Sequence, residues 1–241
     1  MKRKMKRKML TLDPKVDSLV SDIDGCVANV LEQLQLYVWE KYRFWFTEEI
    51  ITDFTLEGPL LAAMASSGVK GAPQEFDQMR AELYASVWSV PYWMETARPY
   101  FVYWAALRKW RHAGGRLLFA TARPPTVVMA TQNWLRRWDL ISEDKDVVFS
   151  FQVSDDTGEV KADTCRKELA AGKNVYFVED KISAATLSEK HLSRWPKILS
   201  RFQPLLIARP WNHLTHANAG DSAVMRLTEE DVASKITGGL G

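Results

Sequence analysis

From residue 100 onward, short apolar runs alternate with helical segments, and this alternation limits the fold more than any other feature of the chain. Residues 100–112 are amphipathic and stop at Gly114-Gly115, a helix terminus. Residues 116–120 (R-L-L-F-A) read as a strand, 126–138 as a helix, and 147–151 as a β-branched apolar strand. A helix over 161–171 ends at Gly172, a strand follows at 174–178 (N-V-Y-F-V), and a helix covers 182–190. The strand at 204–208 (P-L-L-I-A) and a short helix at 228–236 complete the series. Strands that are apolar throughout must be covered on both faces. The expected fold class is therefore α/β, a doubly wound parallel sheet.

One earlier run, residues 18–23 (S-L-V-S-D-I), predicts a further buried strand. The segment after it breaks the alternation. Val27, Leu31, Leu34, Val38, Tyr42 and Trp45 are spaced by three and four, one face of a helix. Thr47-Glu48-Glu49 predicts another helix start, with a hydroxyl cap and acids in the first turn. Gly58-Pro59 breaks the chain, 68–73 is a loop, 74–88 is helical in pattern, and Pro91 is expected to end it. The expected organisation is a basic head at 1–14, an α/β core from 15–27 and 99–241, and a small helical cap at 28–98 inserted after the first strand.

Of the 241 residues, 46% are hydrophobic and 26% charged, as in ordinary globular proteins. Residues 1–8 (M-K-R-K-M-K-R-K) hold six basic groups. Without those six, 26 Lys and Arg face 30 Asp and Glu, a net −4, so the body is not a basic nucleic-acid-binding surface. The head itself reads as a solvated start, as a polyanion-binding arm, or as a run that a start at Met9 would omit. It does not read as a secretion signal. No run of about 18 apolar residues is present to span a membrane. Cys26 and Cys165 lie far apart with no C-x-x-C, which suits a reduced, cytoplasmic protein. His112, His191, His213 and His216 show no metal-ligand spacing.

In an open parallel sheet, ligands bind beyond the carboxyl ends of the strands. There the chain places Asp22, Asp24 and Gly25 after the first strand, and Thr121, Ala122 and Arg123 after the second. Asp155 and Asp156, then Lys161 opening a helix, come after the third. Glu179, Asp180 and Lys181 come after the fourth, and Arg209, Pro210, Trp211 and Asn212 after the last. Carboxylates gathered at one sheet edge repel one another unless a cation sits among them, and oxygen ligands suit Mg²⁺. Two aspartates two apart on a strand point the same way. One can attack a phosphorus while the other handles the proton. Thr121 and its neighbouring N–H groups can hold phosphate oxygens, and Lys161 can neutralise them.

D-I-D-G at Asp22–Gly25, T-A-R at Thr121–Arg123, the single Lys161 and V-E-D at Val178–Asp180 resemble, in order, the four motifs of the haloacid dehalogenase superfamily. E-K-Y (40–42), F-T-E-E-I-I-T-D-F (46–54), V-P-Y-W-M (90–94) before Arg98-Pro99, and L-I-A-R-P-W-N (206–212) further resemble the 5′(3′)-deoxyribonucleotidase family and its phage and bacterial relatives. The resemblance covers roughly residues 18–213. It implies a Mg²⁺-dependent phosphatase with a phospho-enzyme intermediate. By motif, Asp22 is nucleophile and metal ligand, and Asp24 is the general acid/base and lends the metal its backbone carbonyl. Thr121, Ala122 and Lys161 bind the phosphoryl group, and Asp180 completes the metal site. Two departures stand out: Glu179 replaces the first acid of a usual D-D pair and is expected behind the metal ligands, and D-D-T-G at 155–158 matches no motif.

The implied substrate is a small phosphorylated molecule, a (deoxy)nucleoside monophosphate, with Tyr92, Trp93 and Arg123 as pocket residues for the base or phosphate. Two alternatives keep the chemistry: a sugar phosphate, or a nucleic-acid end phosphate aided by the basic head. A third is a non-catalytic nucleotide-binding module. The sequence leaves open the base and sugar, the 5′ or 3′ position, the pathway, and the oligomeric state, a homodimer included.

Overall fold

The computed structural model describes residues 11–51, 56–149, 157–195, 199–212 and 224–240. Residues 1–10 of the basic head, Asp155, Asp156, His213 and His216 lie outside the described residues, whereas Leu12, counted with the head, is fully buried in the core. Strand β1 (Asp17–Ser21) is followed by helices α1 (Val30–Tyr42), α2 (Glu57–Ser66), α3 (Phe76–Leu83) and α4 (Pro91–Thr96). After α5 (Phe101–His112), strands and helices alternate: β2 (Arg116–Thr121), α6 (Val128–Arg137), β3 (Val147–Phe149), α7 (Thr157–Ala170), β4 (Asn174–Glu179), α8 (Ile182–Leu192) and β5 (Phe202–Ile207). Strand β6 (Met225–Leu227) and helix α9 (Glu229–Thr237) come last.

The strands form one six-stranded sheet in the order β3-β2-β1-β4-β5-β6, and all five pairings are parallel. Period-two alternation explains how it is covered. Leu19, Leu117, Phe119, Tyr176 and Val178 share a core with Leu107 and Trp110 of α5, Trp134 of α6 and Ile236 of α9. Their neighbours Val20, Leu118, Ala120, Val175 and Phe177 pack on Ala162, Cys165 and Leu169 of α7 and Leu192 of α8. Both faces are buried, as the apolar strands require. Strand order reverses at β1, whose partners are β2 and β4. The crevice at such a switch point is where ligands bind in these sheets.

Helices α1 to α4 build a further core. Leu31, Leu34 and Val38 meet Met64, Met79, Leu83 and Trp93, joined by Val127, Ala130 and Trp211 from the sheet side. Asn29 caps α1, its side chain accepting the Glu32 N–H at 3.2 Å. No helix among the described residues is long and apolar enough to cross a membrane.

Several expected boundaries move. Helix α1 ends at Tyr42 because Arg43 takes a left-handed conformation (φ 54°), so Trp45 leaves the helical face and stands 53% exposed. Thr47-Glu48-Glu49 opens only a single 3₁₀ turn, Glu48–Ile50. Pro91 starts α4 instead of ending the preceding helix, since its missing N–H costs nothing in a first turn. Helix α7 begins at Thr157, so Lys161 lies one turn inside it.

Candidate active site

The chain leaves β1 at Asp22, whose N–H still bonds Val178 C=O at 2.9 Å. Behind it, Ser21 Oγ donates to Asp22 C=O at 2.7 Å and accepts from the Tyr103 hydroxyl at 3.1 Å. The turn then tightens through Gly25 at φ 74°, where a side chain would collide with Asp180 Oδ2. The strand stops before Asp22, so strand alternation does not set the pair, yet both aspartates line one cavity. Asp22 meets Lys161, and Asp24 meets Arg123.

Lys161 Nζ sits 3.0 Å from Asp22 Oδ1 and 2.6 Å from Glu179 Oε2, and all three groups are buried. Glu179 Oε1 accepts the N–H groups of Asp180 and Lys181 at 3.2 Å each, which orients the carboxylate toward the lysine. Asp180 Oδ2 accepts the Trp211 indole N–H at 2.9 Å, and Asn212 Nδ2 donates to Asp180 C=O at 2.9 Å. Arg209 donates to the carbonyls of Gly25 and Cys26 at 2.7 and 3.1 Å and pairs with Glu229 at 2.9 Å. The turn after β5 thus ties the ends of β1 and β4 together. Spacing alone placed Arg209, Trp211 and Asn212 after a strand, without this role.

Burial first, and then the Glu179 and Asp24 carboxylates, push Asp22 up to about 7 against the pull of Lys161. Asp180 is raised as well, by burial, Glu179 and Asp22. Burial opposes the Lys161 charge, yet Asp22 and Glu179 outweigh it and raise the ammonium pKa. Burial and the surrounding acids hold Cys26 as a neutral thiol, unsuited to act as a nucleophile. Ligand atoms of Asp22, Cys26 and Asp180 lie within 4.8 Å of one another. Two buried carboxylates held above their ordinary pKa form a site short of positive charge, and their hard oxygens fit a divalent cation.

Thr121, the last residue of β2, is buried, and its Oγ1 accepts the Arg123 N–H at 3.2 Å. Thr121 and Ala122 line the same cavity as Asp22, Lys161 and Asp180. This inner lobe has a volume of about 410 Å³. An outer lobe of about 700 Å³ shares Asp24, Glu57, Arg80, Trp88 and Ala122 as walls and adds Tyr84 and Met94. Tyr84 and Trp88 sit on a widened turn that prolongs α3, closed by the Ser89 N–H to Tyr84 C=O at 3.0 Å. Neither Tyr92 nor Trp93 lines either lobe. Tyr92 is 62% exposed, and Trp93 is buried edge-on to Tyr37. The aromatic walls are Phe76, Tyr84, Trp88 and Trp211.

No family model matches the chain, and no curated protein matches it. Among solved structures, a HAD family hydrolase from Deinococcus radiodurans with bound phosphate and sodium superposes with a TM-score of 0.55 at 14% identity. That match covers 94% of this chain and 97% of the other. A haloacid dehalogenase-like hydrolase from Streptococcus pneumoniae gives 0.52 at 12% identity, covering 91% and 97%. A putative phosphatase from Clostridium difficile gives 0.52 at 13% identity, covering 92% and 98%. The chain has the haloacid dehalogenase-like fold. In this HAD-like fold the ends of β1, β2 and β4 and the second turn of α7 open onto one cavity. The same four places carried the sequence motifs.

Proposed function

We propose that this protein is a Mg²⁺-dependent phosphomonoesterase that works through an aspartyl-phosphate on Asp22, with (deoxy)nucleoside monophosphates as substrates. The carrying observation is the convergence of Asp22, Thr121, Lys161 and Asp180 on one cavity, with Lys161 Nζ 3.0 Å from Asp22 Oδ1. Helices α1 to α4 act as the cap over it. The aromatic outer walls, with Glu57 and Arg80 beside them, support a substrate with a flat ring.

In this reading the phosphoryl oxygens lie against the Thr121 hydroxyl, the Ala122 N–H and the Lys161 ammonium. An Asp22 oxygen attacks phosphorus in line, the bond to the ester oxygen breaks, and Asp24 gives that oxygen its proton. Water then attacks the acyl phosphate, Asp24 takes the water's proton, the bond to Asp22 breaks, and orthophosphate leaves. The Asp22 and Asp180 carboxylates and the Asp24 carbonyl would hold Mg²⁺, with Glu179 steering Lys161 behind them. When bound, the ion supplies the positive charge that keeps Asp22 ionised and offsets charge on the phosphoryl group.

Both cysteines are free and buried, which supports a reduced, cytoplasmic setting. Every group named comes from one chain, so the reading needs no second copy. A panel of nucleotide and sugar phosphomonoesters, with and without Mg²⁺, tests it. The expected result is Mg²⁺-dependent release of orthophosphate, fastest from nucleotides. Release from sugar phosphates alone would move the substrate class, and no release from any ester would contradict the activity.

A further inference from the structure

We infer that Arg123 is a positioning residue for Asp24, and this rests on the reading of Asp24 as the acid/base proposed above. Asp24 lies on a turn beyond β1 with its side chain 33% exposed, where an unheld carboxylate would sample several rotamers. It does not stand unheld. Arg123 Nε is 3.1 Å from each carboxylate oxygen, and Nη2 is 2.6 Å from Oδ1. The guanidinium is itself fixed: its side chain is 2% exposed, and Nη1 donates to Thr131 Oγ1 at 3.0 Å on helix α6. Thr131 is fully buried. The Arg123 N–H bonds Thr121 Oγ1, so one three-residue stretch sets both the phosphate cradle and the acid.

Burying a guanidinium in a cavity wall is costly, and an ion pair of this kind is commonly matched in stability when both partners are replaced by apolar side chains. What an apolar side chain cannot do is grip both oxygens of a carboxylate. Lysine cannot do it either, because a point charge lacks the planar fork. Arg123 thus acts through Asp24 by geometry, and it fixes where the proton-bearing oxygen meets the ester oxygen. A misplacement of about 1 Å at such a point costs on the order of 10²-fold in rate.

The test compares wild type, Arg123→Met, Arg123→Lys, Asp24→Asn and the Asp24→Asn/Arg123→Met double variant. Rapid-quench phospho-enzyme formation is read on two substrates, with orthophosphate affinity and thermal unfolding measured alongside. A nucleoside 5′-monophosphate expels an alkoxide and needs the acid, whereas p-nitrophenyl phosphate expels a stable anion and does not. The expected result is a loss of about 10²-fold on the nucleotide for both single Arg123 variants, and under about tenfold on p-nitrophenyl phosphate. The double variant should be no slower than Asp24→Asn, with orthophosphate affinity within about twofold of wild type. Equal losses on both substrates, additive losses in the double variant, or an unchanged nucleotide rate overturn the positioning role alone. Should Arg123→Met fail to fold, Arg123→Lys, which keeps the charge, decides by the same substrate comparison. A wild type inactive on both substrates overturns the functional reading, and this inference with it.

Discussion

The Trp211 indole donates to Asp180 Oδ2 at 2.9 Å, so a turn after β5 holds the acid just beyond β4. Groups behind a metal-binding carboxylate set its direction, and their loss costs about 10- to 100-fold in metal affinity. Trp211→Phe keeps the ring and removes the donor. The expected outcome is Mg²⁺ affinity weakened at least about tenfold in calorimetric titration, with the fold retained by circular dichroism.

Gly25 is the second device at this point. Its φ of 74° favours glycine, and a side chain there would meet Asp180 Oδ2. Gly25→Ala should lose roughly 1–3 kcal/mol in urea unfolding, with Mg²⁺ binding reduced in parallel. Gly68, also at positive φ, has open space around it. Gly68→Ala should leave Mg²⁺ binding unchanged, which separates backbone strain from collision at the site.

The raised Asp22 pKa has a definite sign. The folded protein keeps a proton on Asp22 up to about pH 7, whereas the unfolded chain loses it near 3.8. Between those values the folded state binds more protons, so metal-free stability falls as pH rises through that window. Asp180 is shifted the same way. Metal-free Tm should therefore be lower at pH 8 than at pH 5.5. Mg²⁺ at about a hundred times its Kd should restore about 2.7 kcal/mol, roughly 5–10 °C in Tm, at pH 8. At pH 5.5, where protons compete for the same oxygens, the gain should be smaller.

Trp88 walls both lobes of the cavity. Trp88→Ala should raise KM for nucleoside monophosphates about tenfold, since stacking on a base is worth about 1–3 kcal/mol. It should leave KM for a ringless phosphomonoester such as glycerol phosphate nearly unchanged. Equal effects on both would place the wall's role in packing instead.

The layout of the candidate site was readable because β1, β2 and β4 carry buried apolar runs, and the residues just beyond such a run lie at the sheet's carboxyl edge. Strand β6 was not readable: it has three residues with Arg226 at its centre, and an edge strand needs no apolar run. Of the three expected pocket residues Arg123 lines the outer lobe, and the two aromatics lie elsewhere for a local reason. Tyr92 and Trp93 are adjacent on α4, so they face different ways, one to solvent and one to the core. The walls come instead from Phe76, at the start of α3, and from Tyr84 and Trp88, which sit on the widened turn that prolongs it. Trp211 and Asp180 are 31 residues apart, a pairing that only the sheet order creates.

The central claim is that Asp22 accepts a phosphoryl group. The direct measurement is intact-protein and peptide mass spectrometry of enzyme acid-quenched within milliseconds of mixing with a nucleoside monophosphate and Mg²⁺. The account predicts a phosphoryl adduct on Asp22, absent without Mg²⁺ and absent in Asp22→Asn, whose turnover should fall by about 10³-fold or more. Turnover in Asp22→Asn near the wild-type rate, or an adduct on another residue, would contradict it.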